Sequence, residues 1–189
     1  QALDTSGNGN HGTMNDAVPL TKGRLGEALS FSENDYIEIP NPGLLDISDT
    51  FTISSWIYPE GWGGEGYGTI FAKPDAEAYD LMVYLGEGSN TLSVWDRSTA
   101  TGLGTQEGWA YSHDNSITLD MWQYIAVTYN GSNGVTVYIN GTDMTADSWI
   151  QLTNPSGNSF IGSENRTARW GFNGTIDDVR VWNRTLSGQ

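Results

Sequence analysis

The chain of 189 residues contains no cysteine, almost no lysine and no long apolar run. The absence of cysteine excludes disulfides, thiol catalysis and thiolate-bound metals. Because no apolar stretch approaches the roughly 18 residues of a membrane-spanning helix, we expect no membrane insertion. Lysine occurs only at Lys22 and Lys73, and the formal net charge is -15. Such a surface repels phosphate backbones, which argues against nucleic-acid binding, and it attracts cations.

Apolar residues alternate along the chain instead of recurring at helical spacing. In Phe51–Ile57 the alternation places Trp56 on the face opposite the aliphatic residues, and similar patterns occur in Trp122–Tyr129, Val135–Ile139 and Gly174–Trp182. Further predicted strands are Ala28–Phe31, Tyr36–Ile39, Gly68–Ala72, Asp80–Leu85, Thr91–Asp96, Trp109–His113 and Ser159–Ile161. Many short strands joined by Gly- and Asn-rich turns predict one all-β domain over residues 1–189. We expect an antiparallel β-sandwich (jelly roll) of two sheets with little or no helix.

Several segments in the right order resemble a known family of extracellular modules. They are Asp4–Gly12, Leu25–Phe31, Phe51–Ile57, Trp122–Gly131, Tyr138–Gly141, Ile161–Gly162 and Gly174–Leu186. Together they resemble laminin-G-like jelly-roll modules of the concanavalin A-like lectin/glucanase superfamily. The resemblance implies a secreted or cell-surface module, which we expect to be one part of a larger extracellular protein. The family includes carbohydrate-binding modules, adhesion domains and partners of glycoside hydrolases, so fold alone does not choose the function.

The N-terminal loop carries the first half of an oxygen-rich calcium loop, with Asp4, Ser6 and Asn8 at alternate positions. Asn15 stands where an EF-hand has its bidentate Glu, so the closing carboxylate has to come from elsewhere. The family resemblance implies Asp177 of the last strand, which points toward the core if that strand has no bulge. A calcium ion would offset the cost of burying this carboxylate. In the alternative interpretation, Asp4 and Asn8 cap turns, and Asp177 accepts backbone hydrogen bonds.

The hexapeptide from Glu33 to Glu38 matches E-x-D-x-x-E, the catalytic pattern of one family of sandwich-fold glucanases. It lies early in the chain, where the laminin-G pattern has a polar turn and an ordinary strand, so its structural context is wrong. We therefore predict that the chain is not an enzyme, and glycoside hydrolysis by this pair is the remote alternative.

Aromatic residues in or beside polar, Gly-rich stretches are the remaining clue. Sugar rings stack their C–H faces on aromatic planes, while nearby polar groups bind the hydroxyls. The predicted ligand-binding residues are Trp62, Tyr67, Trp95, Trp109, Trp149 and Trp170. We expect Trp62 and Trp170 to be the most exposed of these, whereas Trp56, Trp122 and Trp182 lie in regular strands and are predicted to be core residues.

The leading hypothesis is a non-catalytic carbohydrate-binding, lectin-like module with a structural calcium ion. Its partner would be a glycan or a cell-surface glycoconjugate. The alternative is a cell-surface adhesion or structural spacer domain, which would bind a protein ligand rather than a glycan.

Overall fold

The computed structural model describes residues 1–16, 20–40, 50–74, 81–98, 106–131, 134–150 and 157–187. These residues form fifteen strands and one short 3-10 turn at Gly64–Gly66. The strands are β1 (Thr13–Asn15), β2 (Leu20–Lys22), β3 (Glu27–Phe31), β4 (Tyr36–Ile39), β5 (Phe51–Pro59), β6 (Tyr67–Lys73), β7 (Leu81–Gly86), β8 (Thr91–Ser98), β9 (Gln106–Ser112), β10 (Gln123–Tyr129), β11 (Val135–Ile139), β12 (Thr142–Asp143), β13 (Thr145–Trp149), β14 (Ser159–Ile161) and β15 (Gly174–Trp182). None of the described residues belongs to a helix long and apolar enough to cross a membrane.

The strands form two antiparallel sheets, as the alternation predicts. The front sheet has eight strands in the order β1-β4-β14-β6-β7-β8-β9-β13, and the back sheet has seven in the order β12-β11-β10-β5-β15-β3-β2. At the centre of the back sheet, β5 pairs with β10 on one side and β15 on the other. Each sheet combines hairpins of consecutive strands, such as β6-β7-β8-β9, with neighbours far apart in sequence, such as β4 with β14 and β5 with β15, which is typical of a jelly-roll sandwich. The predicted fold is therefore confirmed.

The main core lies between the two sheets. On the back sheet it includes Ile53, Ile57 and Val127, and on the front sheet Val83 and Val94, all fully or almost fully buried. Each such side chain contributes about 1.5–3 kcal/mol through removal of its apolar surface from water. The strict alternation of these residues along their strands explains why the sequence pattern locates the strands well.

The strand predictions differ from the structure mainly at their ends. The strand predicted at Phe51–Ile57 continues to Pro59, and β10 begins at Gln123 rather than at Trp122. Asp80, the predicted start of one strand, lies outside the described residues. The short strands β1, β2, β12 and β13 were not predicted, because each has only two to five residues and little apolar alternation.

The three strand tryptophans predicted to be core residues lie elsewhere. Trp56, Trp122 and Trp182 are half-buried and belong to neither buried cluster. Trp56 packs on Tyr124, with a centroid distance of 5.3 Å, on the outer face of the back sheet. The prediction is wrong because a match to the family's motifs does not show which face of a strand is buried. In β5 the alternation places Ile53 and Ile57 on the inner face, and Trp56 therefore lies on the outer one.

Candidate functional site

The outer face of the front sheet carries a second, aromatic cluster. Along β7 the residues Leu81, Val83 and Leu85 enter the main core, so Met82 and Tyr84 point to the opposite side. They pack there with the rest of the cluster, which comprises Tyr36, Ala72, Trp95 and Phe160 and is covered in part by Ala168 and Trp170. In an antiparallel sheet that packs one face on the core, the other face is normally polar because it contacts water. An apolar outer face such as this one is typical of a binding surface.

Three tryptophans form a row across neighbouring strands at one end of this face. Trp95 of β8 lies opposite Trp109 of β9, and Trp109 lies opposite Trp149 of β13. Directly opposed residues share a face of an antiparallel sheet. The rings of Trp95 and Trp109 stack with a centroid distance of 5.5 Å and an interplanar angle of 19°. Trp95 is 8% exposed, whereas Trp109 is 41% and Trp149 66% exposed. Exposure to solvent therefore increases along the row from β8 to β13.

Further rings extend the row toward β6. Trp170 contacts Trp95 at a centroid distance of 5.9 Å and Tyr67 at 5.4 Å, and Tyr67 meets Tyr84 edge-on at 5.8 Å. Tyr111 lies two residues after Trp109 in β9 and therefore on the same side of the sheet. We call these seven residues the aromatic face: Tyr67, Tyr84, Trp95, Trp109, Tyr111, Trp149 and Trp170. From β13 to β6 it crosses five strands, about 19 Å at the usual strand spacing.

Close packing of loops holds Trp170 in place. Its backbone has φ 54, a value that bulky residues seldom adopt. The carbonyl of Trp170 accepts a hydrogen bond from the backbone N of Thr69 at 2.9 Å. A Cβ on Gly171 would lie 1.9 Å from the carbonyl O of Glu33, so only glycine allows the chain to pass here. Strain of this kind is concentrated at functional sites.

Polar groups surround Trp170 and offer hydrogen bonds beside the rings. Its indole Nε1 donates to Glu65 Oε2 at 2.9 Å, and the guanidinium carbon of Arg169 lies 4.2 Å from the ring centroid. The guanidinium therefore stacks on the face of Trp170. Tyr84 is buried beneath these groups, and this burial raises its pKa to about 12, against a hydrogen bond with Ser93 that lowers it. Aromatic planes with adjacent donors and acceptors are the composition of a sugar site.

Of the six predicted ligand-binding residues, five lie on the aromatic face. The sixth, Trp62, is half-buried and packs against the main core instead. The expectation that Trp62 and Trp170 are the most exposed is also wrong, because Trp149 and Trp109 are more open than either. Glu65 and Arg169 were not singled out from the sequence. The only signal for them was their place in the Gly-rich and Arg-Trp segments that carry the predicted tryptophans.

The N-terminal loop is closed by its own hydrogen bonds. The backbone of Ala2 pairs with Gly12, with both N–H···O distances 2.9 Å. Asp4 Oδ1 accepts from the backbone N of Ser6 at 2.8 Å, and Oδ2 accepts from Ser6 Oγ at 2.9 Å and the backbone N of Asn10 at 2.8 Å. These bonds, those of Ser6 first, lower the pKa of Asp4. The buried Oδ1 of Asn10 has no hydrogen-bond partner among the described residues.

Asp177 of β15 faces away from the N-terminal loop. A bulge at Asp178, where φ is 51, shifts the register of β15 against β5. Asp177 consequently lies opposite Trp56, on the outer side, and its Oδ2 accepts from the backbone N of Leu25 at 2.7 Å. Asp177 thus shows the hydrogen bonding of the alternative interpretation. The orientation toward the core was expected only for a strand without a bulge, and the bulge turns Asp177 to the other side.

A cavity lies between the N-terminal loop and β15. Its lining includes the oxygen-bearing residues Asp4, Ser6, Asn8, Asn10 and Asp178, whereas Asp177 does not line it. Among the residues that the structure describes, no group of three or more His, Cys, Asp or Glu side chains is arranged to hold a metal. A cation in this cavity would therefore depend on amide, hydroxyl and carbonyl oxygens as well as on carboxylates, a set that calcium accepts.

The two glutamates of the glucanase-like hexapeptide have different roles. Glu33 lies in the exposed turn between β3 and β4. Glu38, on β4, accepts from Arg166 Nε at 3.0 Å to each of its carboxylate oxygens, and Arg166 lowers the pKa of Glu38. A general acid in glycoside hydrolysis needs a raised pKa, so this geometry does not favour Glu38 in that role.

The family model Laminin_G_3, described as the concanavalin A-like lectin/glucanases superfamily, matches residues 31–189. The chain belongs to this family. The predicted resemblance is thus confirmed, and the match covers most strands of both sheets and the aromatic face. A comparison with the curated proteins found no significant match.

Solved structures similar to this family member include binding domains of toxins and one domain of an enzyme. The binding domain of Paraclostridial Mosquitocidal Protein 1 has a TM-score of 0.74 and 20% identity, covering 98% of this chain and 47% of that one. Domain 4 of AbnA, a GH43 extracellular arabinanase from Geobacillus stearothermophilus solved with arabinotriose, has a TM-score of 0.69 and 20% identity, covering 98% and 88%. A structure of botulinum neurotoxin type C, whose cell entry depends on two ganglioside molecules, has a TM-score of 0.70 and 20% identity, covering 98% and 46%.

These identities are low, so the likeness shows the fold alone. The chain spans about half the length of the toxin domains that it matches, and most of the arabinanase domain.

Proposed function

We propose that the chain is a non-catalytic carbohydrate-binding module that holds its glycan on the aromatic face. The observation that carries this proposal is the row of Trp95, Trp109 and Trp149, directly opposed on three adjacent strands and increasingly exposed. Exposed tryptophans on a rigid sheet are pre-organised, so stacking on them costs a ligand little ordering of the protein.

The length and composition of the aromatic face favour an oligosaccharide over a single sugar. The face spans about 19 Å across the strands, which leaves room for several sugar rings side by side. Glu65 and Arg169 lie beside the rings and supply an acceptor and donors for sugar hydroxyls. The similar folds of an arabinanase domain seen with arabinotriose and of a ganglioside-dependent toxin are consistent with this assignment.

The absence of catalysis is part of the proposal. Retaining hydrolysis requires two carboxyl groups about 5 Å apart, one of them with a raised pKa. The Glu38 carboxylate is instead held in an ion pair with Arg166, and Glu33 lies in an exposed turn. The similar domains of Paraclostridial Mosquitocidal Protein 1 and of botulinum neurotoxin serotype C1 are named as binding domains, which supports recognition rather than cleavage.

A structural calcium ion in the N-terminal cavity remains a second part of the proposal. The cavity lining supports calcium because it includes several oxygen-bearing side chains, and the buried Oδ1 of Asn10 has no hydrogen-bond partner among the described residues. Asp4, Ser6 and Asn8 would hold the ion from the loop. Asp178 lines the cavity from β15, and we propose it in place of Asp177. Arg180 also lines the cavity and donates from Nε to Asp178 Oδ1 at 2.9 Å, so calcium would take the place of this guanidinium beside the carboxylate. Bound calcium would fix the loop against the strand, at a distance from the aromatic face.

The proposed partner is a glycan or a cell-surface glycoconjugate, and the proposed location is secreted or at the cell surface. The extracellular arabinanase and the toxin domains with similar folds support this location. The competing function is an adhesion or spacer domain that binds protein. The aromatic face would then be a protein-docking surface, and the chain would show no affinity for sugars.

A glycan array separates the two functions. We expect the chain to bind at least one family of oligosaccharides on an array that includes arabino-oligosaccharides and gangliosides. The array is read with calcium and again with EDTA. Binding to no glycan in either condition would rule out the carbohydrate-binding proposal and leave the protein-binding alternative.

A further inference from the structure

Glu164 is a buried carboxyl group that none of the contacts described above uses. It follows β14 and is 2% exposed. Both of its carboxyl oxygens lack a hydrogen-bond partner among the residues that the structure describes. Native proteins seldom leave buried polar atoms unpaired, so such a group requires an explanation. A buried carboxylate without a partner is far more costly than the neutral acid.

The charged groups near Glu164 do not supply a partner. Burial raises the pKa of Glu164, Arg169 opposes the rise, and Glu65 adds to it by repulsion. Arg169 is already engaged, because its guanidinium stacks on Trp170 and its Nε lies 3.7 Å from Glu65 Oε2. Glu164 is therefore poised to hold its proton into a pH range in which an ordinary glutamate is ionised.

The carboxyl groups of β4 and of the turn before it have partners or face solvent. On β4, Glu38 is paired with Arg166 of the same loop as Glu164. In the turn between β3 and β4, Asp35 Oδ2 accepts from Ser32 N and Oγ at 2.9 Å each, and Glu33 is exposed. None of these carboxylates has a hydrogen bond to Glu164.

Glu164 lies at the base of a loop that covers the aromatic face. We call Ser163–Trp170 the covering loop. Its two ends are joined by a hydrogen bond from the backbone N of Glu164 to the carbonyl O of Arg169, at 3.2 Å. At the far end, Ala168 and Trp170 pack on the aromatic cluster. Glu164 is thus hydrogen-bonded to Arg169, the residue that precedes Trp170.

We propose that Glu164 is a positioning residue that keeps the covering loop, and with it Trp170, on the aromatic face only while its carboxyl is protonated. Once ionised, the carboxylate needs water, and it reaches water only when the base of the loop opens. The movement withdraws Trp170 from Tyr67 and Trp95. Resting on the proposed function, the consequence is that glycan affinity falls as the pH rises.

The positioning role is tested in the free protein by two-dimensional NMR of the Trp170 indole Nε1–H across a pH titration. We expect its signal to follow one protonation step with a midpoint above the ordinary glutamate range. Glu164→Gln, which copies the neutral acid, should hold the signal constant at its low-pH position. The control Glu87→Gln removes an exposed carboxyl group next to Gly66 and should titrate as the parent protein does.

A Trp170 signal that does not titrate, or one that titrates equally in Glu164→Gln, overturns the proposal. Failure of Glu164→Gln to fold also counts against it, because Gln reproduces the state that we propose to be well packed.

The binding consequence is measured separately on the glycan array at pH 5 and pH 8. Because one proton is involved, affinity should fall by up to about tenfold for each pH unit above the raised pKa, and Glu164→Gln should remove this dependence. Affinity independent of pH in the parent protein overturns the consequence for binding. If no glycan binds at any pH, the proposed function fails, while the NMR titration still decides the role of Glu164.

Discussion

Replacing Trp109 by alanine probes the centre of the aromatic row. Trp109 is 41% exposed and stacks on Trp95 at 5.5 Å. Truncating a fully buried tryptophan costs about 3–5 kcal/mol, so we expect about 1–3 kcal/mol for this half-exposed ring. A typical domain has about 5–15 kcal/mol of stability, and the variant should therefore fold. Loss of a central aromatic anchor should weaken glycan binding by about 1–2 kcal/mol, roughly 5- to 30-fold.

The matched control is Trp122→Ala. Trp122 is also half-buried and contacts another ring, Tyr58, with a centroid distance of 5.6 Å, but this pair belongs to the back sheet. Thermal unfolding and isothermal titration with the array-selected oligosaccharide are measured for both variants. Both should lose stability to a similar extent, and only Trp109→Ala should lose affinity. Equal affinity of Trp109→Ala and the parent protein, or equal loss in the two variants, would refute the assignment of the aromatic face.

Four further predictions follow from the same contacts. The raised pKa means that folded Glu164 holds its proton more tightly than the unfolded chain does, so its stabilising contribution is complete below the unfolded pKa and is lost as the pH rises through the folded pKa. Glu164→Gln should thus be more stable than the parent at pH 8, by about 1.4 kcal/mol per unit of pKa change, and should differ little from it at pH 4, below the ordinary pKa of a glutamate. Equal unfolding midpoints of the variant and the parent at pH 8 would contradict this. Calcium at 100 times its dissociation constant should stabilise the fold by about 2.7 kcal/mol, and a melting temperature insensitive to EDTA would eliminate the ion. Reducing ends should not be released from any β-glucan, and release that Glu33→Gln abolishes would reverse the non-catalytic assignment. Val83→Ala, at a fully buried core position, should cost about 1–3 kcal/mol in urea unfolding, and no loss would show that the core is not packed as described.

Strand positions were predictable because the core alternates along each strand. In β5 and β10, inward apolar residues occur at every second position, and this period is visible in the sequence without any knowledge of pairing. Short edge strands such as β12 were not predictable, since two exposed residues carry no period.

The bulge in β15 shows where the same reasoning failed. Alternation from Val179 and Val181 placed Asp177 toward the core, but the left-handed conformation of Asp178 reverses the parity of the residues before it. Nothing in a single sequence distinguishes a bulged strand from a regular one of the same composition.

The sequence predicted individual residues of the candidate site but not how they are grouped. Tryptophans beside polar, Gly-rich stretches pointed to five residues of the aromatic face, yet their grouping depends on cross-strand register. The opposition of Trp95, Trp109 and Trp149 brings together residues from three strands, and register is set by turns and bulges that local pattern does not reveal. Glu164 was missed for a related reason, because an isolated glutamate in a polar loop gives no signal of burial.

The most direct test of the central claim uses the eight tryptophans as reporters. An NMR titration of their indole Nε1–H signals with the array-selected oligosaccharide monitors the aromatic face and the back sheet in one experiment. Binding on the aromatic face predicts shifts for Trp95, Trp109, Trp149 and Trp170 and unchanged signals for Trp56, Trp122 and Trp182 on the back sheet. Shifts confined to the back sheet, or to none of the eight, would contradict the account.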